Sequence, residues 1–171
     1  PIYNDENRKQ QRRGMETMGR EIERKYLVTG TGWMDSCQRC HCEQGYLCVG
    51  PPVAARVRIM DGRATLNVKK ATLAIARLEF EYAIPLDEAR EILENLCMGA
   101  RIEKTRYRVS HEGMLWEVDV FHGENEGLIV AEIELESEDQ AFARPSWLGV
   151  EVSDDPRYLN AALALEPYSR W

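Results

Sequence analysis

The chain has 171 residues, 44% of them hydrophobic and 30% charged, with a formal net charge of −7 at pH 7. That size fits one domain with a real core, and the acidic balance argues against bulk nucleic-acid binding, which needs a net basic surface. A local basic pocket for one small polyanion remains open. No apolar run is long enough to span a bilayer and no signal-peptide core is seen, so a cytoplasmic location is expected.

Residues 1–18 are polar and rich in Asn, Gln, Lys and Arg, and are expected to form a disordered extension to a domain covering 19–171. The first strand is read over 20–28. There Glu21, Glu23 and Lys25 fall on one face, while Ile22, Tyr26 and Val28 fall on the other. Gly30 and Gly32 break it, with a turn of helix expected from Trp33 to Asp35. Strands follow over 43–49 and 53–60, the latter alternating Arg56 and Arg58 with Val57 and Ile59. Asp61-Gly62 is a hairpin signal, and the strand 63–70 puts Lys69 with Thr65 and Asn67. In 76–84, Arg77, Glu79 and Glu81 alternate with Leu78, Phe80, Tyr82 and Ile84.

A helix over 87–98 is predicted with Asp87 as its cap, Gly99 as its stop and an apolar stripe of Ala89, Ile92, Leu93, Leu96 and Cys97. Strands over 101–109, 114–121 and 128–136 then carry Lys104, Arg106 and Arg108; Glu117 and Asp119; and Glu132, Glu134 and Glu136. Ser137 to Phe142 reads as a short helix, Pro145 to Glu151 as a loop, and Asp155-Pro156 as the start of a last helix reaching Leu165.

Eight strands can close into a barrel, and the regular charged faces suggest that the charged side is the inside. The expected interior holds the acids Glu21, Glu23, Glu79, Glu81, Glu117, Asp119, Glu132 and Glu134. With them are the bases Lys25, Arg56, Arg58, Lys69, Arg77, Lys104 and Arg106. The competing reading is an ordinary sheet with this face in water, but solvated faces usually hold more Ser, Thr, Asn and Gln. Two carboxylates ~4 Å apart repel by roughly 4 kcal/mol at an effective dielectric near 20. A divalent cation relieves that repulsion, magnesium and manganese being suited to carboxylate oxygen. The basic set asks for an anion with several oxygens.

Cys37, Cys40 and Cys42 form a cluster with His41. The spacing Cys37-x-x-Cys40-His41 matches covalent haem attachment, and the four residues together could serve zinc. Reduced cysteines near a strand start are the plainer reading.

The ordered series from Glu21-Ile22-Glu23-Arg24-Lys25 through Arg56-x-Arg58, Lys69, Arg77-x-Glu79-x-Glu81, Glu103-Lys104-Thr105-Arg106, Glu117-x-Asp119 and Glu132-x-Glu134 resembles the CYTH domain, the triphosphate tunnel metalloenzymes. Gln44-Gly45-Tyr46-Leu47 looks most like the compact bacterial members that hydrolyse inorganic tripolyphosphate. The resemblance implies an α+β protein built on an eight-stranded antiparallel tunnel, with helices outside and the last helix plugging one end, Arg157 near the mouth. It implies magnesium or manganese on Glu21, Glu23, Glu132 and Glu134, and phosphates cradled by Lys25, Arg56, Arg58, Lys69, Lys104 and Arg106. Arg77 joins this basic set by its place in the strand pattern. Glu79, Glu81, Glu117 and Asp119 would support the basic side chains.

The expected chemistry is attack of water on a terminal phosphoryl group, with Glu21 or Glu23 orienting the water and Tyr46 near Lys104 tuning the step. Leu159 departs from the family pattern, which often has a lysine there. The rival activities are those of a class IV adenylyl cyclase or of a thiamine or nucleoside triphosphatase. A non-catalytic polyphosphate-binding module is the alternative of another class. An apolar outer wall under so few helices leaves room for a homodimer.

Overall fold

The computed structural model describes residues 21–34, 38–72 and 74–171; the expected disordered extension lies outside them. Ten strands are present among the described residues. β1 (Glu21–Val28), β2 (Gln38–Cys48), β3 (Val53–Met60) and β4 (Arg63–Lys70) come first, followed by β5 (Ala76–Arg77) and β6 (Glu79–Ile84). After helix α1 (Leu86–Asn95) come β7 (Met98–His111), β8 (Met114–Phe121), β9 (Ile129–Glu134) and β10 (Leu148–Glu151), and helix α2 (Asn160–Leu165) lies near the end.

The sheet is antiparallel throughout, in the order β10-β1-β9-β8-β7-β2-β3-β4-β6. It curls back on itself because β5, separated from β6 only by Leu78, pairs with β1 through Glu21↔Arg77 and Ile22↔Ala76. Counting β5 and β6 as one interrupted stave gives nine, the eight expected staves and β10. The break at Leu78 lets one chain segment serve β1 at one end and β4 at the other, where Lys69 pairs with Glu79. β10, read from the sequence as loop, adds to β1 beyond β5 through Tyr26↔Glu151.

The register fixes which face is inside, because directly opposed residues share a face. Lys25 opposes Glu132 and Glu23 opposes Glu134; Glu117 opposes both Glu132 and Arg108. Arg106 opposes Asp119 and Cys40, Tyr46 opposes Arg56, and Asn67 links Arg56 to Glu81. Every charged position expected inside therefore stands on one continuous inner face.

The outer face is apolar and covered in two places. Tyr26, Trp116, Val118, Ala131 and Ile133 pack with Trp33, Trp147, Leu135 and Phe142 from the flanking loops. α1 lays Ala89 and Leu93 against Val57 and Ala64, with Ile59, Leu66 and Ile84 alongside. α2 lies across one end of the barrel. Its Leu163 and Ala164 meet the inward residues Tyr46, Ile102, Phe121 and Val130, together with Leu128, and so close that end with an apolar plug.

Four local expectations are corrected. α1 starts after Pro85 with no side-chain cap, Asp87 lying inside its first turn, and it ends at Asn95. Ser137 to Phe142 is turn and coil, and the Phe142 ring at its end packs on Trp116 at 5.6 Å. The last helix begins at Asn160, because Leu159 is extended and splits it from a 3-10 turn at Pro156–Tyr158. Gly99 does not stop α1; it lies in β7 with φ +69, and a Cβ there would fall 2.3 Å from the Ala164 carbonyl oxygen.

That close approach seats the plug. Gly99→Ala is expected to lower stability by about 1–3 kcal/mol, the usual cost of overpacking plus an unfavourable positive φ. Denaturant unfolding monitored through tryptophan fluorescence checks this. An unchanged midpoint would mean that α2 is not held against β7 as described.

Candidate active site

The inner face encloses a cavity of about 1430 Å³. Glu21, Glu23, Lys25, Arg56, Arg58, Lys69, Arg77, Glu79, Glu81, Arg106, Glu117, Glu132 and Glu134 line it, and Arg108 joins them at the open mouth. Lys104, Asp119 and Tyr46 belong to the same face but lie beneath the cavity surface, among the buried residues.

Two ion-pair networks fill the wall. In the first, Arg106 donates to both Asp119 oxygens at 2.7 Å and to Glu132 at 2.7 Å, and also contacts Glu117. Lys104 pairs with Asp119, and Lys25 pairs with Glu132 and with Glu23. In the second, Arg77 donates to Glu21 at 2.9 Å and to Glu23 at 3.3 Å, and Lys69 reaches Glu79 at 3.0 Å and Glu21 at 3.6 Å. Arg56 stands 3.6 Å from Glu79, and Arg58 donates to Glu81 at 2.7 Å. Glu23 belongs to both networks and joins them.

Burial tends to neutralise charged groups, and pairing reverses this wherever partners are close. Burial works against the Lys25 ammonium, yet Glu132 and Glu23 outweigh it and raise its pKa. Glu132 is pushed upward by burial but held well below the carboxylate range by Lys25, Arg106 and Lys104. For Arg106, Asp119 overcomes burial and raises the pKa. Lys69 goes the other way: burial and the neighbouring Arg56 and Arg77 lower it against the pull of Glu21 and Glu79.

Glu134 is the exception among the acids. Burial raises its pKa, and Glu21, Glu23, Glu117 and Glu79 raise it further. It holds no ion pair among the described residues, so the cavity is locally over-supplied with negative charge at that point. The donors there are hard carboxylate oxygens, the kind that suit magnesium or manganese. As arranged, no three described His, Cys, Asp or Glu side chains converge on a common cation position; Glu21 and Glu23 face Arg77, Lys69 and Lys25 instead.

Sequence reasoning missed the role of Asn67. It is 1% exposed, accepts from Thr65 at 3.1 Å and donates to Glu79 at 3.1 Å and Glu81 at 2.6 Å. Its inward parity was the available signal, but an amide among charges carries no motif. Gln44, fully buried on the same face with both amide atoms unpartnered, was likewise invisible. Tyr46 faces Arg56 at the plugged end rather than Lys104, and burial raises its pKa. Arg157, expected near the mouth, is exposed and stacks over Trp171 at 5.0 Å. The zinc grouping fails on parity: Cys40 and Cys42 are inward, His41 is on the exposed side, and Cys37 lies outside the described residues.

A CYTH domain profile matches residues 19–161. The chain belongs to the CYTH domain family. It is 47% identical over 154 residues to a protein of Acetivibrio thermocellus named inorganic triphosphatase, a match covering 90% of this chain and 99% of that one. A Nitrosomonas europaea protein of the same name is 39% identical over 149 residues, covering 85% and 97%. The crystal structure of the inorganic triphosphatase NE1496 superposes on this CYTH domain with a TM-score of 0.64 at 36% identity, over 85% of this chain and 94% of that one. A Pyrococcus furiosus structure at 21% identity and a TM-score of 0.54 shares the fold, covering 70% of this chain and 80% of that one.

The Glu79 carboxyl ties this site to acid stability. Burial raises its pKa, but the contact with Glu21 and the charges of Lys69 and Arg56 outweigh that and bring it from 4.5 down to about 2. A depressed folded pKa stabilises the fold above the unfolded value, and the gain is lost as pH falls through the folded value. Glu79→Gln is therefore expected to flatten the stability profile between pH 4.5 and about 2. Unfolding midpoints of both proteins across that window check this; parallel profiles would refute it.

Proposed function

We propose that this CYTH domain is a divalent-metal-dependent hydrolase of inorganic triphosphate. The observation that carries this reading is the cavity itself: a wall of paired bases and acids with an uncompensated carboxylate, Glu134, at its negative pole. The names of the two curated relatives and of the NE1496 structure support the same activity.

In this reading Arg56, Arg58, Lys69 and Arg77 form the cradle for the phosphate oxygens, with Lys25 and Arg106 on the facing wall. Each now rests on a carboxylate, so the polyanion enters by exchanging partners and not by meeting free cations. That exchange frees oxygen donors. When Arg77 and Lys69 turn to phosphate, Glu21 is freed and Glu23 keeps only Lys25, and both would join Glu134 as ligands. Glu132, held by Lys25 and Arg106, is the fourth expected ligand and the one least free to move. The magnesium or manganese ion bound there supplies charge neutralisation on the phosphate oxygens.

Glu21 or Glu23 orients the attacking water and accepts its proton. Glu79, Glu81, Glu117 and Asp119 keep the basic side chains in place, as preorganised electrostatic stabilisation requires. Lys104 acts through Asp119 and Arg106, since it lies beneath the surface. Tyr46 acts through Arg56. No inward residue of this wall reads as a base or thiazole pocket, which favours the inorganic substrate over the nucleotide or thiamine triphosphate used in the rival activities.

Phosphate release from tripolyphosphate with magnesium or manganese is expected, and chelation should abolish it. Glu23→Ala should lower kcat/KM by at least roughly a hundredfold, as removal of one preorganised electrostatic group does. ATP run in parallel, with cyclic AMP sought beside phosphate, separates hydrolase from cyclase. Tight binding of tripolyphosphate without phosphate release would instead identify a binding module.

A further inference from the structure

Cys40 and Cys42 take no part in the networks above, yet both are buried on the inner face of β2. Cys42 opposes Met60 on β3, and Met60 lines the cavity. Directly opposed positions of an antiparallel pair bring Cβ atoms to about 4.5–5.5 Å. Cys40 is the next inward position along β2, roughly 6.6 Å away at about 3.3 Å per residue. Two thiols and a thioether thus share one patch of wall. On its other side the patch meets β7, where Cys40 opposes Arg106 and Cys42 opposes Lys104.

We propose that Cys40, Cys42 and Met60 bind one soft monovalent cation, Cu(I) or Ag(I), as a bis-thiolate with a thioether. Sulfur donors of this kind select soft ions. Zinc needs four ligands from Cys, His or carboxylate, and the neighbouring candidates His41 and Glu43 stand on the opposite face of the strand. The thiols have little competing employment: among the described residues Cys40 donates only to the Arg106 carbonyl oxygen, at 3.8 Å. Binding releases two thiol protons to solvent and leaves a complex of net charge −1. Lys104 and Arg106 face that charge directly across the strand pair. The same charge opposes a polyanion approaching Arg106, so the loaded protein holds triphosphate less tightly; this last consequence rests on the function proposed above.

The test uses the reduced full chain without oxygen. Ag(I) alone is titrated by calorimetry, and Cu(I) is titrated against bicinchoninate by absorbance. One equivalent is expected, with two protons released per cation. The Cys40→Ser/Cys42→Ser variant should lose it. Met60→Leu, a swap of similar volume, should weaken it by at least roughly tenfold, since even outer-shell changes cost that much. Cys37→Ser and Cys48→Ser/Cys97→Ser should retain it. Stoichiometric binding that survives in the double serine variant, depends on Cys37, Cys48 or Cys97, or ignores Met60 would overturn the site. Where hydrolysis is present, loading should raise the KM for tripolyphosphate in the wild type and not in the double serine variant. Absence of hydrolysis in every metal state would sink the proposed function and leave the binding result standing.

Discussion

The constraint on which this molecule depends is the cost of turning a charged sheet face inward. Desolvating a charge costs several kcal/mol, and only close partners repay it. The wall meets this by nearly complete pairing. Arg106 satisfies Asp119, Glu132 and Glu117 together, and Lys25 bridges Glu132 to Glu23. Removing one member of such a set typically costs about 3–5 kcal/mol, because it leaves its partner buried and unpaired. The interior therefore behaves as a single electrostatic unit with Glu23 as its hinge.

Under the proposed function, the same economy would favour a polyanion together with a cation over either alone. An anion alone would strip bases from carboxylates and leave those carboxylates unpaired. A cation alone would strip carboxylates from bases. Bound together, the two exchange partners without leaving a buried charge unmatched. Glu134 is where the resting state already falls short of balance, and its raised pKa records that shortfall. The imbalance lies toward the open end, away from the apolar plug built by Leu163 and Ala164.

Much of this was legible in the sequence because strand parity is rigid. Once Glu21, Glu23 and Lys25 are set on one face, a one-residue slip anywhere would turn a whole strand inside out, and the charged alternation in later strands excludes it. The outside was legible for the same reason at Trp116, whose parity in β8 turns it to the outer apolar cluster, where the loop residue Trp147 meets it at 5.7 Å. What escaped depends on relations that periodicity does not encode. The break at Leu78 arises because one segment must pair with β1 and β4 at different heights. β10 is four residues long and carries no alternation strong enough to separate it from loop. Asn67 and Gln44 gain their meaning only from what surrounds them.

The cysteines show the limit most plainly. In the sequence, Cys37, Cys40, His41 and Cys42 look like one cluster, because spacing is all that can be read. In the fold β2 reaches back to Gln38, five residues before the strand start read from the sequence, and β7 is long enough to pair with it. That pairing sorts the cluster by face: Cys40 and Cys42 go in, His41 goes out. A motif of four neighbours becomes two sulfurs and a new partner, Met60, which is distant in the chain and adjacent in the wall. The chemistry available to a cysteine cluster in a strand is thus decided by the strand opposite, and it is the register that must be known before a ligand can be named.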